Sequence, residues 1–363
     1  MPTVNVGLVG VGNCTSSLVQ GVSHYADGEH TVGLTNPVCA GYAVADVRFT
    51  AAFDVDTRKT GLDLSDAIWA EPNNARRFAE VPHLGVPVVE GALGDGIGRS
   101  SADRITARGA ATVEDVADHL RRTGTQVLLN FVPAGSQQAS ELYARAALAA
   151  GCAFVNCIPS VIARSTQWAA RFEAAGLPLV GDDLKSQFGA TLLHRALVDL
   201  LTANGVRLSS TYQLLGGGNM DFLNLQDAER MQTKKASKAD GLLGAGAGTG
   251  TGTGGATGAG GSAPAVHVGA DYIPFLADRK IAVIRVEGEG FGGTPLEVDL
   301  RLAVDDSPSG AGNALDAVRY AGFALAHGIA GVLDPVAARL MKAVPRPLTE
   351  PETEAGLRAL LSR

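Results

Sequence analysis

Apolar positions follow two different patterns along this chain, and the pattern changes near residue 205. Before that point, short continuous apolar runs alternate with stretches whose apolar residues recur at helical spacing, which predicts buried parallel strands joined by helices. Strands are predicted at residues 4–9, 47–53, 126–132, 153–155 and 177–180. Helices are predicted at about 15–25, 113–122, 137–150 and 165–175. Residues 1–204 are therefore predicted to form a doubly wound α/β domain.

Beyond residue 205 the apolar positions recur at every second residue, as in Leu296–Leu302. This period predicts strands with one solvated face, which is typical of an antiparallel sheet. The predicted strands are 206–215, 281–286 and 296–304. Helical spacing returns at 311–327 and 335–342. We therefore expect an inserted α+β domain at 205–305, with 306–363 returning to the first domain.

Bulk composition narrows the class of protein. Hydrophobic residues make up 46% of the 363 residues, enough for two sizeable cores, and the net charge of −7 argues against a nucleic-acid partner. The four cysteines have neither disulfide-framework nor zinc spacing, and the seven histidines show no metal-binding motif. No stretch has the pattern of a secretory signal or a transmembrane helix. We therefore predict a cytoplasmic protein, with a flexible Gly-rich surface loop at 241–262.

A glycine turn follows the first predicted strand directly. Gly10 permits a sharp turn, and Gly12 lets a pyrophosphate approach the backbone next to Asn13 and Cys14, at the start of a helix predicted from Ser16 or Ser17. The third glycine of the dinucleotide fingerprint is replaced by Thr15, which weakens the match. This pattern favours nucleotide binding over an ordinary strand–helix turn.

Polar residues stand at the carboxyl ends of the predicted parallel strands, where ligands bind in this fold. Asp54, and after it Asp56, are candidates for binding the adenosine ribose of NAD. Further candidates for cofactor contacts follow the later strands: Pro133, Ser136, Asp182, Asp183, Lys185 and Ser186.

Lysines in the second half of the chain form a candidate anion site. Lys234 and Lys238 share one face if their segment is helical, and such like charges repel unless an anion lies between them. Lys280 begins a predicted strand, and Lys342 ends a predicted helix. Each lysine alone would be an ordinary solvated residue.

Seven motifs occur in an order that resembles the inositol-phosphate synthases of the shorter, actinobacterial kind. The resemblance spans about residues 3–345. The motifs are Gly10–Cys14, Ala52–Asp56, Gly181–Ser186, Gly217–Phe222, Lys234–Lys238, Asp278–Lys280 and Asp306–Pro308.

The resemblance implies a Rossmann-type NAD domain with an inserted catalytic domain whose antiparallel sheet mediates a homotetramer. It implies cyclisation of glucose 6-phosphate to 1L-myo-inositol 1-phosphate, by oxidation at C5, intramolecular aldol closure and reduction with the same bound NAD. A divalent cation takes part in some prokaryotic relatives. No metal ligand is assigned here.

The resemblance also assigns roles to individual residues. Lys234 would take the C5 hydroxyl proton, and Lys238 would contact phosphate and substrate. Lys280 and Lys342 would hold the substrate and stabilise the oxyanion near C1. Asp306 and Asp221 would be active-site acids, and residues 182–186 would approach the nicotinamide.

Departures from the family pattern at 130–136 and 156–160 leave the substrate open. One alternative is a paralogous cyclase that closes fructose 6-phosphate to a five-membered cyclitol phosphate for carbocyclic nucleosides. Another is an ordinary dehydrogenase that releases NADH. A third is a non-catalytic NAD-binding sensor or subunit, against which the lysine set argues.

Overall fold

The computed structural model describes residues 3–230 and 263–362. The helices are α1 (Asn13–His24), α2 (Leu64–Ala67), α3 (Val113–Arg122), α4 (Gln137–Ala150), α5 (Thr166–Ala174), α6 (Ala190–Ala203), α7 (Met220–Asn224), α8 (Asp306–Ala326), α9 (Asp334–Leu340) and α10 (Glu350–Leu361). The strands are β1 (Val4–Val9), β2 (Val38–Cys39), β3 (Tyr42–Ala43), β4 (Val47–Asp54), β5 (Val88–Glu90), β6 (Val127–Asn130), β7 (Ala153–Asn156), β8 (Pro178–Val180), β9 (Arg207–Gly217), β10 (Ala265–Tyr272), β11 (Arg279–Glu289), β12 (Pro295–Asp305) and β13 (Gly331–Val332). The predicted Gly-rich loop at 241–262 lies outside the described residues.

A seven-stranded parallel sheet has the order β13-β8-β7-β6-β1-β4-β5. All residues of β6 and β7 are buried, because helices cover both faces. Helices α1 and α8 pack on one face, and α3, α4 and α5 pack on the other. The predicted Rossmann-type α/β architecture is confirmed.

A separate four-stranded sheet has the order β10-β9-β11-β12. Strand β11 is antiparallel to both of its neighbours, whereas β10 runs parallel to β9. The predicted antiparallel sheet is confirmed for β9, β11 and β12, whereas the parallel edge strand β10 was not predicted. Parallel pairing requires a long connection, which residues 218–264 supply, and the Gly, Ala and His residues of β10 obscure its alternation.

Two helices begin earlier than predicted. Helix α1 begins at Asn13 rather than at Ser16 or Ser17, directly after the glycine turn. Helix α8 begins at Asp306 rather than at 311. Pro308 lies in its first turn, where a missing N–H removes no intrahelical hydrogen bond.

The segment after β12 packs against the parallel sheet. Helix α8 contacts α1 and strands β1, β6, β7 and β8, and β13 pairs with β8 at the sheet edge. Helix α6 covers one face of the four-stranded sheet, and Leu214 and Val283 are exposed on the opposite face. Among the described helices, none combines the length and apolar character needed to cross a membrane.

Candidate active site

A cavity of about 920 Å³ lies at the carboxyl ends of the parallel strands and extends to the four-stranded sheet. Fourteen of the predicted site residues line it: Gly10, Gly12, Asn13, Cys14, Asp54, Asp56, Pro133, Asp183, Lys185, Ser186, Asp221, Lys280, Asp306 and Lys342. Ser136 and Asp182 lie outside its wall, and Lys234 and Lys238 lie outside the described residues. The cavity thus joins the glycine turn to two of the predicted lysines.

The glycine turn leaves space for a ligand at the start of α1. Gly10 has φ of +85°, and a Cβ there would lie 2.8 Å from the carbonyl oxygen of Phe131, so only glycine fits without strain. A Cβ at Gly12 would meet no protein atom within 4 Å. No side chain caps the N-terminus of α1, so its first N–H groups can bind an anion. These features fit the pyrophosphate of NAD.

Thr15 has a structural reason to replace the third glycine. Its side chain is buried, and its Oγ1 donates a hydrogen bond of 2.6 Å to the carbonyl oxygen of Gly10. The hydroxyl therefore stabilises the same turn that the glycine pattern predicts.

Asp54 and Asp56 have different surroundings at the end of β4. The Asp54 carboxylate accepts hydrogen bonds from the backbone N–H groups of Val11 (2.7 Å) and Asp56 (2.8 Å), and retains lone pairs toward the cavity. The Asp56 side chain is 2% exposed and forms an ion pair of 2.6 Å with Arg58. Asp54 is therefore better placed to accept hydrogen bonds from ribose hydroxyls.

Lys59 is a cavity residue that the sequence analysis missed. Its Nζ donates hydrogen bonds to the carbonyl oxygen of Val11 (2.8 Å) and to Asn73 Oδ1 (2.9 Å), and it lies 4.0 Å from Asp54 Oδ2. Burial lowers the pKa of Lys59, and the Asp54 carboxylate opposes that shift. Its amine holds the glycine turn against the end of β4.

Two lysine–aspartate pairs form the other side of the cavity. Lys280 Nζ lies 2.7 Å from Asp306 Oδ1, and this pair joins β11 to the first turn of α8. Lys342 Nζ lies 2.9 Å from Asp183 Oδ1, and this pair joins the residues after α9 to the loop after β8. All four side chains are less than 20% exposed. The structure therefore brings together cations that are 62 residues apart in the chain.

Lys185 has a structural partner within the cavity wall. Its Nζ donates a hydrogen bond of 2.7 Å to the carbonyl oxygen of Ala338, in the last turn of α9. Burial lowers the pKa of Lys185 to about 8, with a further contribution from the Arg195 cation. Lys185 therefore supports α9 as well as lining the cavity.

Asp182 is buried beneath the loop that follows β8 and stabilises it. Its buried carboxylate accepts hydrogen bonds from Asn156 Nδ2 (2.7 Å) and the N–H of Ala163 (3.0 Å), and pairs with Arg164 at 3.3 Å. Burial raises the pKa of Asp182. Asp182 is therefore not placed to contact a cofactor directly. The other predicted residues of this loop, Asp183, Lys185 and Ser186, line the cavity.

Ser136 is likewise a supporting residue. Its Oγ accepts a hydrogen bond of 3.2 Å from Arg230, which also binds the carbonyl oxygen of Ala134 at 2.9 Å. Asn224 donates to the same carbonyl at 2.7 Å. The loop after β6 is thus held by two residues from beyond β9, which no local sequence pattern indicated.

Asp278, the first residue of the Asp278–Lys280 motif, connects the two sides of the cavity. Its Oδ1 accepts hydrogen bonds from Asn13 Nδ2 (2.9 Å), Asn219 Nδ2 (3.0 Å) and Ser307 Oγ (2.7 Å). Asn219 also caps α7, which carries Asp221. Burial raises the pKa of Asp278. One carboxylate thus ties the glycine turn to the starts of α7 and α8.

Metal ligands do not cluster in residues 3–230 and 263–362, where no group of three or more His, Cys, Asp and Glu side chains could hold an ion.

Comparison with known proteins places these features in one family. The family model described as myo-inositol-1-phosphate synthase matches residues 189–307. The inositol-3-phosphate synthase of Mycolicibacterium smegmatis is 44% identical over 362 residues, covering 99% of this chain and 98% of that protein. The inositol-3-phosphate synthase of Mycobacterium tuberculosis is 45% identical over 358 residues, covering 98% of this chain and 94% of that protein.

A solved structure, that of Ari2, has a TM-score of 0.80 and 34% identity, covering 99% of this chain and 98% of that one. The resemblance inferred from the seven motifs is thus confirmed. Identity at this level over nearly the full length of both chains shows that the protein belongs to the myo-inositol-1-phosphate synthase family.

Proposed function

We propose that this protein catalyses the NAD-dependent cyclisation of glucose 6-phosphate to 1L-myo-inositol 1-phosphate, by oxidation at C5, intramolecular aldol closure and reduction. The observation that carries the proposal is that one cavity contains both a dinucleotide-type glycine turn and two lysine–aspartate pairs. The first feature suits a nicotinamide cofactor, and the second suits an anionic substrate. Membership of the family supports the same reaction.

The residues that would hold NAD are those of the glycine turn and β4. Gly12 and the uncapped start of α1 suit the pyrophosphate, and Asp54 suits the adenosine ribose. When bound, NAD supplies the hydride acceptor for oxidation at C5 and the hydride donor for the final reduction.

The lysines would bind and stabilise negative charge. The substrate phosphate is a dianion, and aldol closure passes through an enolate and an alkoxide, which nearby ammonium groups stabilise in a site screened from water. Lys280 and Lys342 line the cavity with their ammonium groups already held by Asp306 and Asp183. Little reorganisation would then be needed as charge develops.

The start of α6 offers a second set of donors for the phosphate. Gly189, Ala190 and Thr191 line the cavity, and no side chain caps this helix. Its first N–H groups and the positive end of its dipole favour an anion there. The phosphate would then be held at α6 while the lysines act on the carbons that react.

Proton transfers would use acids and amines that line the same space. Asp306 and Asp221 are near enough to the cavity to exchange protons with a bound sugar. The family pattern assigns removal of the C5 hydroxyl proton to Lys234, and a phosphate contact to Lys238. These two assignments complete the proposed site.

A second candidate is the cyclisation of fructose 6-phosphate to a five-membered cyclitol phosphate. The observation that favours it is that segments 130–136 and 156–160, which depart from the family pattern, line the cavity through Phe131, Val132 and Cys157. Changes in the cavity wall are where a change of substrate would be expected.

The deciding experiment incubates the enzyme and NAD separately with glucose 6-phosphate and with fructose 6-phosphate. We expect NMR to show a six-membered cyclitol phosphate formed from glucose 6-phosphate, and absorbance to show no net release of NADH. A five-membered product from fructose 6-phosphate would establish the alternative. Net NADH would indicate a dehydrogenase, and tight NAD binding without turnover of either sugar would indicate a sensor.

We also propose a cytoplasmic homotetramer, assembled through the exposed face of the four-stranded sheet. Leu214 and Val283 provide apolar surface there. Light scattering of the purified protein should give four times the mass of the chain.

A further inference from the structure

A buried chain of polar side chains leads from the four-stranded sheet to the cavity. It begins at Thr211 on β9, whose hydroxyl donates a hydrogen bond of 2.7 Å to the carbonyl oxygen of Arg285. His194 Nε2, on α6, lies 2.6 Å from the same Thr211 hydroxyl. A hydroxyl has one proton to donate, so the Thr211 oxygen must accept from His194. His194 therefore carries a proton on Nε2.

The other ring nitrogen of His194, Nδ1, then determines how the neighbouring Gln213 amide is oriented. His194 is fully buried, and burial lowers its pKa, so the ring is neutral near pH 7 and Nδ1 is an acceptor. His194 Nδ1 has no hydrogen-bond partner among the described residues, and the Gln213 side chain is close enough to influence the ring. A neutral Nδ1 can be satisfied by Gln213 only if the amide turns its NH2 group toward the histidine.

In this orientation the Gln213 carbonyl oxygen takes the other amide position, away from His194. As placed, Gln213 Oε1 is buried and, like His194 Nδ1, has no hydrogen-bond partner among the described residues, although the Gln213 residue, which is 1% exposed, lines the cavity. Exchanging the amide oxygen and nitrogen, which have nearly the same shape, gives His194 Nδ1 a donor. With the NH2 group on His194, the oxygen that remains can be satisfied only from the cavity side. A buried acceptor without a partner costs free energy, which a ligand with a hydroxyl group would recover.

The position of Gln213 agrees with a substrate contact. Gln213 is paired with Ile284 in the β9–β11 ladder, and Lys280 lies four positions before Ile284 on β11, on the same face. The strand spacing puts Gln213 and Lys280 about 14 Å apart along that face. A lysine side chain and a hexose phosphate together span this distance.

We infer that Gln213 determines substrate specificity by accepting, through its carbonyl oxygen, a hydrogen bond from one hydroxyl group of the sugar phosphate bound in the cavity. This inference rests on the proposed function. His194 and Thr211 act as positioning residues, because they set the orientation of the Gln213 amide.

The test compares kcat/KM for glucose 6-phosphate with values for its 2-deoxy, 3-deoxy and 4-deoxy analogues. In Gln213→Met, which keeps the length of the side chain but not its acceptor, turnover of the parent sugar should fall about 5- to 100-fold. For the analogue that lacks the contacted hydroxyl, the same substitution should change kcat/KM less than about threefold. The other two analogues should show the full loss.

Two further variants separate hydrogen bonding from packing. Gln213→Glu keeps an acceptor oxygen at the same length, so it should keep the preference for the contacted hydroxyl even if Gln213→Met folds poorly. Leu215→Val removes one methylene group on the same buried face of β9, away from the cavity wall, and should affect all four sugars equally.

Three results would overturn the inference: an unchanged parent reaction in Gln213→Met, an equal loss with all four sugars, or identical preferences in Gln213→Met and Gln213→Glu. If the unmodified enzyme converts no sugar phosphate at all, the proposed function fails and this inference fails with it. The unmodified enzyme therefore distinguishes the two failures.

Discussion

The two sides of the cavity bind by different physical means. The side at the glycine turn presents backbone N–H groups and the Asp54 carboxylate, which has the Lys59 amine 4.0 Å away, and burial raises the pKa of its Cys14 thiol to about 12, so that thiol stays neutral. The side at β11 and α9 presents two ammonium groups, each paired with a carboxylate. In the proposed function, the cofactor would thus be bound mainly by the shape of the backbone, and the substrate mainly by charge.

This difference predicts which kind of substitution each side tolerates. Where backbone geometry does the binding, a single methyl group can exclude the ligand without altering any charge. Where paired charges do the binding, loss of one ammonium group leaves its carboxylate partner facing the substrate dianion. Variants on the two sides should therefore separate cofactor affinity from catalysis.

The largest effect should come from Lys280→Met. It removes the ammonium group that would stabilise the reaction intermediates, so kcat should fall at least about 10³-fold, while the Kd for NAD stays within about twofold. Steady-state kinetics and calorimetric NAD titration measure the two effects. The neighbouring exposed Arg279→Met, whose residue lies outside the cavity wall, serves as the control and should retain nearly full activity. Loss of NAD affinity in Lys280→Met would contradict the division of the cavity into a cofactor side and a substrate side.

The next effect should come from Gly12→Ala. The added methyl group meets no protein atom within 4 Å but occupies the space of the pyrophosphate, so the Kd for NAD should rise about 10- to 100-fold with an unchanged melting temperature. Gly10→Ala is the matched comparison. Its methyl group would lie 2.8 Å from the Phe131 carbonyl oxygen at a φ of +85°, so the free energy of unfolding should fall by about 1–3 kcal/mol. If the two variants lost NAD affinity and stability to the same extent, Gly12 would not be the position where the pyrophosphate approaches the backbone.

Asp278→Asn should affect both sides at once. The new NH2 group would face one of the N–H and O–H donors that now converge on this carboxylate, and the link between Asn13 and Ser307 would loosen. We expect NAD affinity and kcat each to fall about tenfold. Asp271→Asn, at an exposed position on β10, should change neither. An effect on only one quantity would show that Asp278 does not connect the two sides.

The smallest effect should come from Lys185, through stability. Its pKa of about 8 in the folded protein is below the value of 10.5 for an unperturbed lysine, so the unfolded chain binds more protons between these two pH values. The free energy of unfolding should therefore rise with pH across this window, by at most about 3 kcal/mol. Denaturation at several pH values should show this rise relative to Lys185→Met; equal slopes in both proteins would contradict it.

Local patterns in the sequence were sufficient to predict five of the seven strands of the parallel sheet, and the glycine turn. These five strands are largely apolar, and Gly10 and Gly12 act through their own backbone, whereas the short edge strands β5 and β13 were not predicted. The supporting residues could not be predicted in this way, because Lys59, Arg230 and Asp278 act through partners distant in sequence. Strand β10 was missed for a related reason, since its pairing with β9 depends on the long connection between them.

The return of the last helices to the first sheet has a consequence for synthesis on the ribosome. Strand β1 lies in the middle of the parallel sheet, but α8, which covers β1 and its neighbours on one face, is made only after the whole four-stranded sheet. A nascent chain that has emerged as far as β12 therefore still exposes the part of an apolar sheet face that α8 covers in the completed fold. The completed fold can form only once α8 has packed against the sheet that contains β1.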